Sequence, residues 1–298
     1  EMSGIVEKLP ADSVFNRGRL QILLAAVLWS LAGVFIKSLD LPPMVITFYR
    51  SFFAALFFFF FCKRSAWEGL GVPLLVSVAS YTAAISFFVW ANKLTTAANA
   101  IVLQYTAPIF VYLFLRLLFG ESITRANLLT LFSGMVGVVI IFATSKAEQD
   151  LQGVTVAVFS GFLFSIYMVN LRFLKGFNPL VLTFVNNLIC SLVLIPLVAS
   201  QLILSLDQYL VLAVMGVVQL GIPYFLFSKG LESISLQEAS LIVLIEPVLN
   251  PVWVAFVVGE VPSVPTLIGG GIIILGLGIR YARSIVGRSD EVGASSGL

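Results

Sequence analysis

Ten runs of nearly uninterrupted apolar residues occupy the chain, at 20–39, 44–62, 70–91, 96–118, 126–144, 154–174, 179–200, 208–228, 236–258 and 264–284. Each is close to the ~20 helical residues that cross a bilayer core of ~30 Å. The runs lack the alternation of barrel strands and are far too long for them, so helices are expected. The connections are only a few residues long, which leaves no room for an extramembrane domain. The pattern predicts an all-α integral membrane protein with ten transmembrane helices. Local start signals sharpen several boundaries. Ser235-Leu-Gln-Glu238 and Ser205-Leu-Asp-Gln208 have the form of capping boxes, which gives Glu238 a structural explanation. Pro42-Pro43, Asn178-Pro179 and Pro262 punctuate other junctions.

Composition agrees with a lipid-facing surface. Of 298 residues, 59% are hydrophobic and 11% charged, whereas soluble domains carry ~25% charged residues. A net charge of +2, with the basic residues flanking apolar runs, offers no stripe for nucleic acid. The chain has no histidine, so imidazole proton relays and histidine-ligated metals are excluded. Cys62 and Cys190 lie far apart inside apolar runs, as two buried thiols rather than a disulfide or metal pair. No Gly-Lys-Ser/Thr phosphate loop is present, so ATP is not expected as the direct energy source. No nucleophile–base constellation and no cofactor motif accompanies the runs, which argues against an enzyme. The first eighteen residues hold no apolar segment or cleavage site, and the first helix is expected to be a permanent anchor.

Charge sets the expected orientation. With the N-terminus in the cytoplasm, thirteen basic residues fall inside (Lys8, Arg17, Arg19, Lys63, Arg64, Arg116, Arg125, Arg172, Lys175, Lys229, Arg280, Arg283, Arg288). Three, Lys37, Lys93 and Lys146, fall outside. Both ends are therefore expected in the cytoplasm, with tails over 1–18 and 286–298.

The chain also contains itself twice. Pro108, Gly120-Glu121 and Gly137 answer Pro247, Gly259-Glu260 and Gly276 at a constant offset of 139. Pro43, Thr47 and Phe48 answer Pro179, Thr183 and Phe184 at 136, and Ser30 answers Ser165 at 135. Five helices per copy reverse the second copy in the membrane, giving two inverted repeats over 19–145 and 146–285. Inverted repeats suit carriers, because two near-equivalent packings can open to either side. A channel is disfavoured, since no filter motif is visible.

The duplicated Pro-(x11)-Gly-Glu-(x15)-Gly element, with Glu246 before Pro247, Leu28-Trp29-Ser30 and Phe48-Tyr49-Arg50, resembles the EamA branch of the drug/metabolite transporter superfamily. The resemblance covers about residues 18–285. It implies a ten-helix transporter of a bacterial inner membrane, with a central cavity lined mainly by helices 1, 3, 4, 6, 8 and 9. It further implies a small-molecule substrate, most often an exported amino acid or related amphiphile. Importers of sugars, nucleotide sugars or osmolytes belong to the same superfamily. A lipid-handling membrane protein without solute turnover is the reading from another class. One departure from the repeat is notable: Ala107-Pro108 stands where the second half has Glu246-Pro247.

Polar residues in hydrocarbon need partners and should face the bundle interior. The cavity candidates are Trp29, Ser30, Tyr81, Gln104, Tyr105, Tyr167, Asn170, Gln219, Tyr224, Glu246 and Asn250, each with interhelical hydrogen bonding as the alternative role. Glu246 is the carboxylate near the bilayer midplane, where a buried charge costs ~2.5–3.5 kcal/mol or more. It is expected to be neutral or paired, acting in proton coupling, in ammonium binding or in fixing the bend at Pro247. Arg50 is expected either to snorkel or to pair with Glu246 or carbonyls, or else to meet a substrate carboxylate. Pro108 and Pro247 are expected to kink their helices at the cavity. The small-sided stripe Gly269-Gly270-Gly271, Gly276 and Gly278 is expected to pack between the repeats or in a homodimer.

Overall fold

The computed structural model describes residues 11–61, 71–122, 125–144 and 148–295. The expectations that rest on Lys8, Cys62, Lys63, Arg64 and Lys146 lie outside the described residues. Among the described residues the secondary structure is entirely helical. Eight helices among the described residues are long and apolar enough to cross a membrane: Asn16–Ser38, Val72–Leu94, Ala97–Phe119, Asp150–Leu174, Pro179–Gln201, Leu206–Gly230, Glu238–Val258 and Val264–Arg283. Two shorter apolar helices, Pro43–Phe59 and Leu128–Thr144, stand where the second and fifth runs were expected. The last helix continues to Ser295, into the segment expected as a tail.

Several spans are built from two segments. In chain order the helices are α1 (Ala11–Trp29), α2 (Ala32–Ser38), α3 (Pro43–Phe59), α4 (Val72–Leu94), α5 (Ala97–Gln104), α6 (Ala107–Phe119), α7 (Arg125–Thr144), α8 (Glu148–Asn170), α9 (Pro179–Val198), α10 (Leu206–Val214), α11 (Ile222–Gly230), α12 (Leu236–Val243), α13 (Glu246–Val258) and α14 (Val264–Ser295). A π-helical segment, Met215–Gly221, joins α10 to α11.

Pro108 and Pro247 lie at interruptions within the membrane-length helices Ala97–Phe119 and Glu238–Val258. Each opens a new segment after a break, in the first turn of α6 and α13. There the missing N–H costs nothing, because first-turn N–H groups have no intrahelical partner. The prolines inside helices are Pro196 in α9 and Pro251 in α13.

The same local devices recur in both halves. Thr96 and Ser235, 139 residues apart, each cap a helix by accepting from the backbone N–H three residues on. Gly120 and Gly259 each end a helix in the left-handed region, at φ 68° and 79°, a conformation that costs glycine no steric strain. Thr47 and Thr183 each donate to the carbonyl four residues back, at 2.9 and 2.8 Å. Ser205 forms the full capping box with Gln208. At Ser235 only half of the expected box forms, because the Glu238 carboxylate is drawn to Arg19 at 2.5 Å.

The closest helix packing joins one half to the other: α4 with α8, α7 with α14, α3 with α9 and α1 with α11. The α7–α14 contact depends on absent side chains. A Cβ on Gly137 would stand 2.5 Å from the Gly269 carbonyl oxygen, and one on Gly269 would stand 2.7 Å from that of Gly137. Gly276 is pressed against Ser133 in the same seam. Gly269 and Gly276 are thus used for packing within the chain.

Candidate functional site

The first span is interrupted at Ser30–Leu31, where the backbone leaves α1 and restarts as α2. Ser30 contributes to the break by donating its hydroxyl to Val27 O at 2.6 Å. Its counterpart Ser165 makes the same bond to Phe162 O at 2.5 Å, yet α8 runs on unbroken. The difference lies in the partners. Carbonyls freed in a membrane interior need donors from other helices, and the first span has them. Gln219 Nε2 donates to Trp29 O at 3.2 Å, and Asn250 Nδ2 donates to Ser30 O at 3.0 Å. Trp253 Nε1 adds a bond to the Ser30 hydroxyl at 3.0 Å. Gln219 reaches the break from the π-helical segment, a distortion common at functional sites.

Beside this break lies an acid. Glu246 is the first residue of α13, where the exposed N–H groups of a helix start favour a carboxylate. Tyr105, in the break between α5 and α6, donates its hydroxyl to Glu246 Oε2 at 2.8 Å. The two interrupted spans therefore meet at their breaks. Glu246, Tyr105, Tyr224, Trp29 and Trp253 are half-buried, whereas Tyr81, Gln219 and Asn250 are buried. Trp29 stacks edge-on against Tyr224 at 5.0 Å between centroids and lies 5.3 Å from Phe227.

A buried base lies within electrostatic reach of the acid. Arg50 is 5% exposed, and its Nε and Nη1 have no hydrogen-bond partner. The ionisable side chains within electrostatic reach of it are Tyr81, Tyr224, Cys190 and Glu246. No ion pair joins it to Glu246, so both snorkelling and a direct charge pair are corrected by the structure. Tyr81 packs on Tyr167 at 5.5 Å and donates to Asn187 Oδ1 at 3.3 Å.

Two other candidates lie elsewhere. Gln104 donates to Ser160 Oγ at 3.2 Å, which passes the bond on to Ala84 O, tying three helices together. Asn170 donates to Pro73 O at 2.7 Å, at the far end of α8. Thr82, Asn187 and Trp253 were not singled out as site residues. An aromatic or hydroxyl residue in an apolar run gives no signal of which face it occupies.

The ends of the bundle are fastened differently. At one end Lys37 pairs with Glu260 at 2.7 Å and donates to Thr95 O at 2.7 Å. Glu260 also accepts from the Ala97 N–H at 2.7 Å. Lys93 bonds Leu39 O, and Thr95 bonds Asp150. At the other end Arg19 meets Glu238, Arg172 meets Glu121 at 3.1 Å and Lys229 meets Glu232 at 3.0 Å. Among the described residues no group of three or more Cys, Asp or Glu could hold a metal.

Interrupted apolar helices that converge on buried polar groups, within a bundle of membrane-length helices, are the architecture of a polytopic membrane transport protein. The sequence pattern of the EamA-like transporter family matches twice, over residues 16–143 and 151–281, and the chain belongs to that family. It is a membrane transporter of the drug/metabolite class. It is 31% identical over 271 residues to an uncharacterized transporter of Archaeoglobus fulgidus, covering 89% of this chain and 96% of the relative. It is 27% identical over 278 residues to the pseudopaline exporter CntI of Pseudomonas aeruginosa, covering 88% and 95%. A solved crystal structure shares the fold at a TM-score of 0.64 and 19% identity, covering 91% of this chain and 98% of the other.

Proposed function

We propose that the protein is a secondary carrier of ten membrane helices in two inverted five-helix halves, exporting amino acids or related amphiphilic metabolites from a bacterial cytoplasm by alternating access. The observation that carries this reading is the pair of fastenings related by the repeat. Lys37 ends the first span and Arg172 the sixth, 135 residues later; Glu260 follows Glu121 by 139. Lys37–Glu260 and Arg172–Glu121 are thus equivalent bonds on opposite ends. Each links the first helix of one half to the junction of the last two in the other. They are unequal here. The Lys37–Glu260 pair is the shorter and the less exposed, and extra backbone bonds support it. A carrier that closes one gate while loosening the other needs such an asymmetry, which reverses in the opposite state.

The named relative that exports pseudopaline supports the outward direction, and the charge bias supports cytoplasmic termini at the Arg19–Glu238 end. A homodimer is compatible with the lipid-facing surfaces left outside the α7–α14 seam. The test is reconstitution of the purified chain in liposomes. Saturable counterflow of at least one solute from a panel of amino acids, sugars, polyamines and organic cations is expected. Its absence across the whole panel overturns the carrier reading. Accessibility labelling that placed residues 10 and 290 on opposite faces would remove the inverted architecture.

A further inference from the structure

We infer that Arg50 is the anchor for a substrate carboxylate and Glu246 the anchor for a cationic group, so that the transported solute must carry both charges. The inference rests on the carrier reading above and specifies its substrate.

The argument starts from an imbalance. A guanidinium is always charged and offers five donors in a planar fork. Buried polar groups are almost always hydrogen-bonded, and a buried charge left without partners is costly. Yet Nε and Nη1 of Arg50 are buried and have no partner. A carboxylate is the counter-ion that supplies charged acceptor oxygens to such donors. The neighbouring side chains do not relieve the imbalance. Cys190 is engaged by Ser51 Oγ at 3.4 Å, Tyr81 donates to Asn187, and Glu246 is held by Tyr105. The indole Nε1 of Trp29 and the hydroxyl of Thr82 are further buried polar groups without a partner.

Charge then narrows the class. Arg50 and Glu246 are close enough to interact electrostatically but are not paired. A phosphate dianion at Arg50 would be repelled by Glu246, and a simple cation at Glu246 would be repelled by Arg50. A sugar would leave both charges without a counter-ion. A compact zwitterion satisfies both and leaves the occupied site neutral. The half-buried Trp29, Tyr224 and Phe227 supply an aromatic wall for its apolar part.

The test compares each of the twenty amino acids with its carboxamide and its decarboxylated amine, on the full chain. Thermal shift in detergent and counterflow in liposomes are both read. At least one amino acid is expected to stabilise the protein and exchange, with its amide and amine at least tenfold weaker in half-saturating concentration. Arg50→Gln should raise that concentration for the amino acid at least tenfold and abolish the preference for acid over amide, while Arg50→Lys retains part of it. If Arg50→Gln does not fold, the acid–amide comparison on the unaltered protein decides alone. Amides or amines that exchange as well as the acids would overturn the anchor and leave the carrier standing, as would exchange confined to sugars or polyamines. Failure of every solute to exchange would remove the carrier itself.

Discussion

Lys37 and Glu260, 223 positions apart in the chain, stand 2.7 Å from each other across one end of the bundle. The pair closes a small network, because each partner also bonds backbone at the junction of α4 and α5. Its side chains are 16% and 23% exposed, whereas those of Arg172 and Glu121 are 37% and 47% exposed.

Glu260→Gln should open that end. A partly buried pair with backbone support lies between an exposed pair, worth ~0–1 kcal/mol, and a fully buried one, whose breakage costs ~3–5 kcal/mol. A loss of roughly 1–3 kcal/mol is expected, enough to shift the balance of two states several-fold or more. Cysteine labelling at Thr96 by a membrane-impermeant maleimide should speed up accordingly. Unchanged labelling would mean that the network is not a gate. Glu121→Gln should have the smaller effect, because Arg172 also lies over the Phe119 ring at 4.1 Å and keeps that contact.

The seam between α7 and α14 predicts a sharp contrast among adjacent glycines. Gly269→Ala forces a methyl into the Gly137 carbonyl and should cost roughly 1–3 kcal/mol by overpacking. Gly271→Ala meets open space within 4 Å and should be neutral or slightly stabilising in the helix. Thermal unfolding of the purified variants checks both, and equal effects would contradict the packing described.

Ser30→Ala removes the acceptor of the Trp253 indole and the back-bond to Val27. Leaving the indole N–H without a partner should cost ~1–3 kcal/mol. Its counterpart Ser165→Ala loses only a local bond within a continuous helix, so its melting temperature should fall less. A larger drop for Ser165→Ala would mean that the break is not held by that triad.

Glu246→Gln preserves the shape at the break and an oxygen for Tyr105 to bond, but removes the charge. Transport is expected to fall and to lose its dependence on pH. Full and still pH-dependent exchange by this variant would end any role of Glu246 in proton coupling. Tyr105→Phe should give a milder loss, since it removes one hydrogen bond to the carboxylate and leaves the charge.

Much of this architecture was legible in the chain. Apolar runs predict membrane-length helices because hydrocarbon tolerates little else, and the offset of 139 recurs in the caps at Thr96 and Ser235 and in the left-handed ends at Gly120 and Gly259. Glu246 stood out because a carboxylate deep in an apolar run demands an explanation. Where the interruption falls relative to Pro108 and Pro247 was not legible. A proline is equally compatible with a bend and with a fresh helix start, and the preceding turn decides between them.

The sequence by itself determined the solvent, the secondary structure and the duplication, because burial of apolar surface and backbone hydrogen bonding act locally along each run. Only the tertiary structure decided that Ser30 breaks its helix while Ser165 does not, that the Gly269 face packs on α7, and that Arg50 stands near Glu246 without pairing to it. Those outcomes depend on which donors and surfaces arrive from helices more than a hundred residues away, and no periodicity within a single run carries that information.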